Sequence, residues 1–264
     1  MKLLCISFGL SSRILGLINY IKINYPTAKL STYNFFDPIQ YNELQQNIFS
    51  SYDGIFLLST GSELSENPMK KKISVNRLIK NYPEKIDLLF QLLINNQSTP
   101  VLGICYGAQI LNYFYEGIQC SHMLRNGLLE RQSGIFKTII DTRNPIFFNM
   151  KNIIYPQYNT VYTPVDFNST IIAVNEYNNT PAAYQYIKNH YGIRFHIQKS
   201  DPEYSKIIDN FLNIVKNNQS HNVFYVFLLL LIVLFAYKYH KKTIVSKYRD
   251  YYKTIRRFLS IGRK

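Results

Sequence analysis

The sequence predicts an α/β protein with a doubly wound, mostly parallel sheet flanked by helices, followed by one transmembrane helix. Three observations carry that expectation: continuous apolar runs of strand length at Gly54–Leu58 and Val101–Ile104, helical patterns set between such runs, and an uncharged apolar stretch at Val223–Tyr237. Strands that are apolar without alternation are those buried on both faces, as in parallel sheets covered by helices. A chain of 264 residues with 47% apolar content suits one domain of about 200 residues with an appendage.

Taken in order, Met1–Phe8 reads as the first strand, and Ser12–Tyr25 as a helix capped by Ser11 or Ser12. Ile86–Asn95 is expected to be helical, Val101–Ile104 a strand, and Ala108–Tyr115 the start of a helix. Beyond Gly134 the pattern shifts to short β-type runs at Phe136–Ile140, Val161–Val165, Ile171–Asn175 and Ala182–Ile187. The expected division is a domain over 1–216, a linker over 217–222, a transmembrane helix over 223–239 and a basic tail over 240–264.

Gly103-Ile104-Cys105-Tyr106-Gly107 has the G-x-C-x-G layout of a nucleophile elbow, a sharp strand-to-helix turn that presents a reactive side chain. Glycines two before and two after the cysteine leave space where a Cβ would meet the neighbouring strand or the first helical turn. A helix N-terminus at the thiol favours the thiolate. A cysteine ending an apolar strand is also consistent with simple core packing.

The segment Val101–Gln109 resembles the nucleophile motif of class I, triad-type glutamine amidotransferases, a hydrophobic run followed by G-x-C-x-G-x-Q. Tyr52–Ser62 is similar to that family's strand and turn ending in Ser-Gly-Gly-Pro, and Tyr191–Gln198 to the block ending in His-Pro-Glu. Asp209-Asn210-Phe211-Leu212 matches the closing helix, so the likeness spans residues 1 to 216. The resemblance implies Cys105 as nucleophile, His196 as base and Gln198 in the place of the orienting third residue. It also implies an oxyanion hole from backbone amides at Tyr106 and near Gly61, with Gln109 holding the polar end of the substrate. A histidine at a strand end, taken alone, is equally a packed structural residue.

The departures bear on activity. Gln198 replaces the family's Glu, so it can orient an imidazole by a hydrogen bond but cannot stabilise an imidazolium by charge. Thr60 and Ser62 replace a Gly and the Pro of the oxyanion turn, and the Ser-His pair common in the family is absent near Tyr155–Asn159. Three functions stay open: a glutaminase serving a synthase or acceptor protein in trans, a hydrolase of another γ-glutamyl compound or amide, and a non-catalytic scaffold that keeps the fold.

The three cysteines, Cys5, Cys105 and Cys120, have no metal-ligand spacing and suggest a reducing compartment. Neither a metal nor an organic cofactor is expected. From Lys238 to Lys264 ten Lys or Arg face one acid, so +9 of the chain's net +14 lies there. With the apolar run before it, this tail is expected to meet anionic membrane lipid. No nucleic-acid-binding motif accompanies the charge, so nucleic acid is not an expected partner. The expected localisation is a single-pass membrane protein with a C-terminal anchor and a cytosolic catalytic domain, because no signal peptide precedes the first strand.

Overall fold

Both faces of the central sheet are apolar, and the alternation along each inner strand shows why. In the computed structural model the first strand, β1 (Lys2–Ser7), sends Leu3 and Cys5 to one buried cluster and Leu4 and Ile6 to the other. The same split divides Phe56 and Leu58 from Ile55 and Leu57 around β3 (Gly54–Leu57), and Leu102 and Ile104 from Val101 on β4 (Val101–Ile104). A strand covered on both sides needs apolar residues at every position, which is the continuous pattern seen in the sequence. The structure describes residues 1–9, 12–47, 50–59, 75–117, 123–125, 128–130, 132–160, 169–187, 189–196, 203, 205–220 and 228–238.

Helices supply the covers. One face carries α1 (Ser12–Asn24) through Ile14 and Ile21, together with Ile207, Ile208, Phe211, Leu212 and Val215 of a closing helix over residues 205–218. The other carries α2 (Pro38–Gln46), α3 (Val75–Asn81), α4 (Pro83–Asn95) and α5 (Tyr106–Glu116), through residues such as Leu44, Leu78, Leu89 and Leu111. Between α1 and α2 runs β2 (Lys29–Asn34).

The second half of the domain holds short strands: β5 (Met123–Arg125), β6 (Leu128–Glu130), β7 (Gln132–Ile135), β8 (Thr138–Ile140), β9 (Ile153–Ile154), β10 (Gln157–Thr160), β11 (Thr170–Asn175), β12 (Thr180–Gln185) and β13 (His190–Ile193). Among the described residues the main sheet has nine strands in the order β2-β1-β3-β4-β13-β12-β11-β8-β9. From β2 to β13 neighbours are parallel, and from β13 outward they are antiparallel. The pairings β5–β6 and β7–β10 stand apart as two-stranded sheets.

The α/β class and the helix-flanked sheet agree with the sequence expectation. Phe136–Ile140 is shorter as a strand than expected, beginning at Thr138, while Val161–Val165 lies outside the described residues. Two elements had no sequence signal strong enough to name them. β2 is an edge strand of mixed polarity and partial exposure, and α2 follows it with a helix cap whose side chain, Asp37, accepts from the amides of Ile39 and Gln40.

The chain divides into two compact units, Met1–Asn218 and Gln219–Lys264. In the second, residues 219–220 and 228–238 are helical. The expected transmembrane helix over 223–239 is corrected here: among the described residues no helix is long and apolar enough to cross a membrane. The helical stretch 228–238 spans about 16 Å at 1.5 Å per residue, against a hydrocarbon core of about 30 Å. The remaining positions of the run, Val223–Phe227 and Tyr239, lie outside the described residues. The single-pass membrane localisation is withdrawn on this finding, and the expected lipid contact is left without support.

Candidate active site

β4 and β13 lie side by side and parallel, with Val101 opposite His190 and Ile104 opposite Ile193. The chain leaves both strands at their C-terminal ends, the edge of an open α/β sheet where ligand sites form. Cys105 leaves β4 there, and His196 lies three residues beyond β13.

Cys105 continues the ladder for one more bond, its amide donating to the Ile193 carbonyl at 2.7 Å, and then the chain turns sharply. Its φ is 53° and its ψ −98°, a backbone state that costs a non-glycine residue about 1–3 kcal/mol and is held only by surrounding structure. α5 starts at the next residue, and the Cys105 carbonyl accepts from the Gln109 amide at 3.2 Å.

The two flanking glycines make the turn possible in the way the spacing suggests. A Cβ on Gly103 would lie 2.7 Å from the Gly107 backbone, and one on Gly107 would overlap the Leu57 carbonyl of β3. The helix thus rests directly on the backbones of β3 and β4, and the cysteine sits at its N-terminal end.

His196 approaches from the neighbouring strand. Its Nε2 lies 3.7 Å from the Cys105 Sγ, within hydrogen-bonding range for sulfur, across a sequence separation of 91 residues. Both side chains are buried. The histidine backbone is fixed by its amide, which donates to the Gln157 carbonyl at 2.9 Å, so the start of β10 holds the base in place. Gln157 is the functional contact that sequence reasoning missed; it stands in the segment where the Ser-His pair is absent, and a backbone contact leaves no side-chain signature.

The remaining candidates divide by position. Tyr106 is the first residue of α5, so its amide is one of those that open the helix N-terminus. Gln109 is buried in the first turn of the same helix. Gly61 and Gln198 lie outside the described residues, as do Thr60, Ser62 and Cys120. Cys5 lies in the core, and burial pushes its thiol pKa far up, which makes it inert as a nucleophile.

A strained cysteine at a helix N-terminus in contact with a histidine from the adjacent parallel strand is the arrangement needed for cysteine acyl transfer. The sequence profile of the family described as glutamine amidotransferase class-I matches residues 37–215. This chain belongs to the class-I glutamine amidotransferase family. The fold of this amidotransferase is similar to that of a candidate GMP synthase component from Thermoplasma acidophilum, with a TM-score of 0.63 and 14% identity, covering 84% of this chain and 97% of that one. It is also similar to a glutamine amidotransferase from Thermotoga maritima, with a TM-score of 0.52 and 15% identity over 84% of this chain and 85% of that one. At such identities the likeness establishes the amidotransferase fold. No curated protein matches the chain.

Proposed function

We propose that this protein is a cysteine-dependent amidase acting on glutamine or a related γ-glutamyl amide, releasing ammonia for a synthase or acceptor protein in trans. The observation that carries the reading is the 3.7 Å contact between Cys105 Sγ at the strained elbow and His196 Nε2. His196 takes the thiol proton as Sγ attacks the amide carbon, and the resulting oxyanion is bound by the Tyr106 amide and by one near Gly61. Collapse of this intermediate breaks the C–N bond, and His196 returns the proton to the departing nitrogen, leaving ammonia and a thioester on Cys105. Water, deprotonated by His196, then attacks the thioester. The acid product leaves and the thiol regains its proton. Gln109 holds the polar end of the substrate, and Gln198 orients the imidazole by a hydrogen bond.

The second reading is a scaffold that keeps the fold without turnover, favoured by Gln198 in place of a carboxylate. One experiment separates them. The full-length protein is treated with a glutamine-mimicking diazo-ketone, with peptide mapping, and glutamate release from glutamine is followed in parallel. The expected result is modification at Cys105 that glutamine competes away, with turnover lost in Cys105→Ala. A folded protein in which Cys105 stays unmodified and no glutamate forms would leave the scaffold reading standing.

A further inference from the structure

The first turn of α5 lies over one lateral row of the sheet, and that row is built in an unusual way. Reading across the strands, Leu57 of β3 pairs with Gly103 of β4, Gly103 with Gly192 of β13, and Gly192 with Tyr184 of β12. Two adjacent positions in the row therefore have no side chain. Gly107 fills the space above Gly103. The space above Gly192 is filled by the Tyr184 ring: a Cβ there would overlap it, with Cδ2 and Cζ each at 2.7 Å.

Laid flat over Gly192, the Tyr184 side chain crosses a whole strand and reaches the helix. Its hydroxyl, fully buried, donates to the Ala108 carbonyl at 2.8 Å. Ala108 sits between Tyr106, whose amide the amidase mechanism assigns to the oxyanion, and Gln109, whose amide bonds back to Cys105. The turn that carries the nucleophile is therefore pressed onto β3 and β4 by backbone contact and tied to β12 by this phenol.

A second tyrosine on the same strand provides a natural contrast. Tyr186, two residues along, donates to the Asn112 Oδ1 at 2.9 Å, one helical turn further from Cys105. It reaches a side chain where Tyr184 reaches the backbone of the first turn.

We propose that Tyr184 is a positioning residue for Cys105: its hydrogen bond to the Ala108 carbonyl across the glycine row holds the first turn of α5 where Sγ and the Tyr106 amide are aligned with His196. The proposal rests on the amidase reading of the site. A bond at the helix backbone three residues from the nucleophile constrains the elbow directly, whereas the same bond one turn on constrains only the body of the helix.

The test compares Tyr184→Phe with Tyr186→Phe in the full-length protein, both of which keep the ring and remove only the hydroxyl. Alkylation of Cys105 by iodoacetamide is followed from pH 5 to 10 by peptide mapping, with glutamine turnover and urea unfolding alongside. Both variants should lose similar stability. Tyr184→Phe should slow Cys105 alkylation at neutral pH about tenfold, moving its pH midpoint upward by about one unit, and lower kcat by a similar factor with KM within about twofold. Tyr186→Phe should leave the Cys105 alkylation profile within about twofold of the parent. Equal effects of the two variants, or no effect of Tyr184→Phe on a reactive Cys105, would overturn the positioning role alone. A parent protein whose Cys105 alkylates no faster than a free thiol would overturn the amidase reading, and the positioning role with it.

Discussion

His190 shows how a single buried side chain can set the pH behaviour of the whole domain. Its Nε2 lies 2.9 Å from the Thr99 carbonyl, which can only accept, so that nitrogen carries the proton and Nδ1 accepts from the Tyr115 hydroxyl at 2.6 Å. Both bonds require a neutral ring, and burial lowers its pKa from 6.5 to about 4. The unfolded chain then binds more protons than the folded one between those values, so stability falls as pH drops through that window and is fully present above about pH 6.5. A shift of this size corresponds to about 3 kcal/mol. Urea midpoints measured from pH 7 to pH 4 should fall accordingly, and the slope should flatten in His190→Gln; an unchanged slope in the variant would place the titration elsewhere. Nothing in the run Tyr184 to Gln198 marks His190 as structural and His196 as a candidate base, since the distinction depends on which partners the fold brings to each ring.

Among the elements, those whose ends are set by local chemistry are the simplest to perturb. α2 begins with Asp37, whose Oδ1 accepts from the Ile39 and Gln40 amides at 2.9 and 3.1 Å, and Pro38 follows at the first helical position. Asp37→Ala should cost about 1 kcal/mol in chemical denaturation with the denaturant slope unchanged. The Asp-Pro pair is a legible start signal, yet the helix went unnamed in the sequence because its buried face rests on Leu44 alone among its own residues. β2 was obscured for a related reason: as an edge strand with half-exposed residues it lacks the continuous apolar run of β1, β3 and β4. The closing helix, by contrast, is tied at several points. Asp209 accepts from the Tyr20 and Tyr25 hydroxyls at 2.8 and 2.7 Å, and Asn210 donates to the Ile146 and Phe148 carbonyls.

For the molecule as a whole, every residue of the two buried clusters lies between Leu3 and Val215. The unit Met1–Asn218 thus contains a complete core, and a protein cut after Asn218 should unfold in one cooperative transition when followed by circular dichroism. A non-cooperative melt would show that this core is insufficient by itself. The apolar run at Val223–Tyr237 is a compositional signal, and composition alone does not state the length of the helix that forms. By itself the sequence determined the elbow at Gly103–Gly107, the inner strands and most helices, because sterics at a turn and burial on both faces act over a few residues. Only the tertiary structure decided that His196 meets Cys105 across 91 residues, that Gln157 holds its backbone, and that Tyr184 spans Gly192 to reach the elbow helix. Those contacts arise from the lateral order of strands far apart in the chain, and pairing across a sheet leaves no trace in local residue spacing.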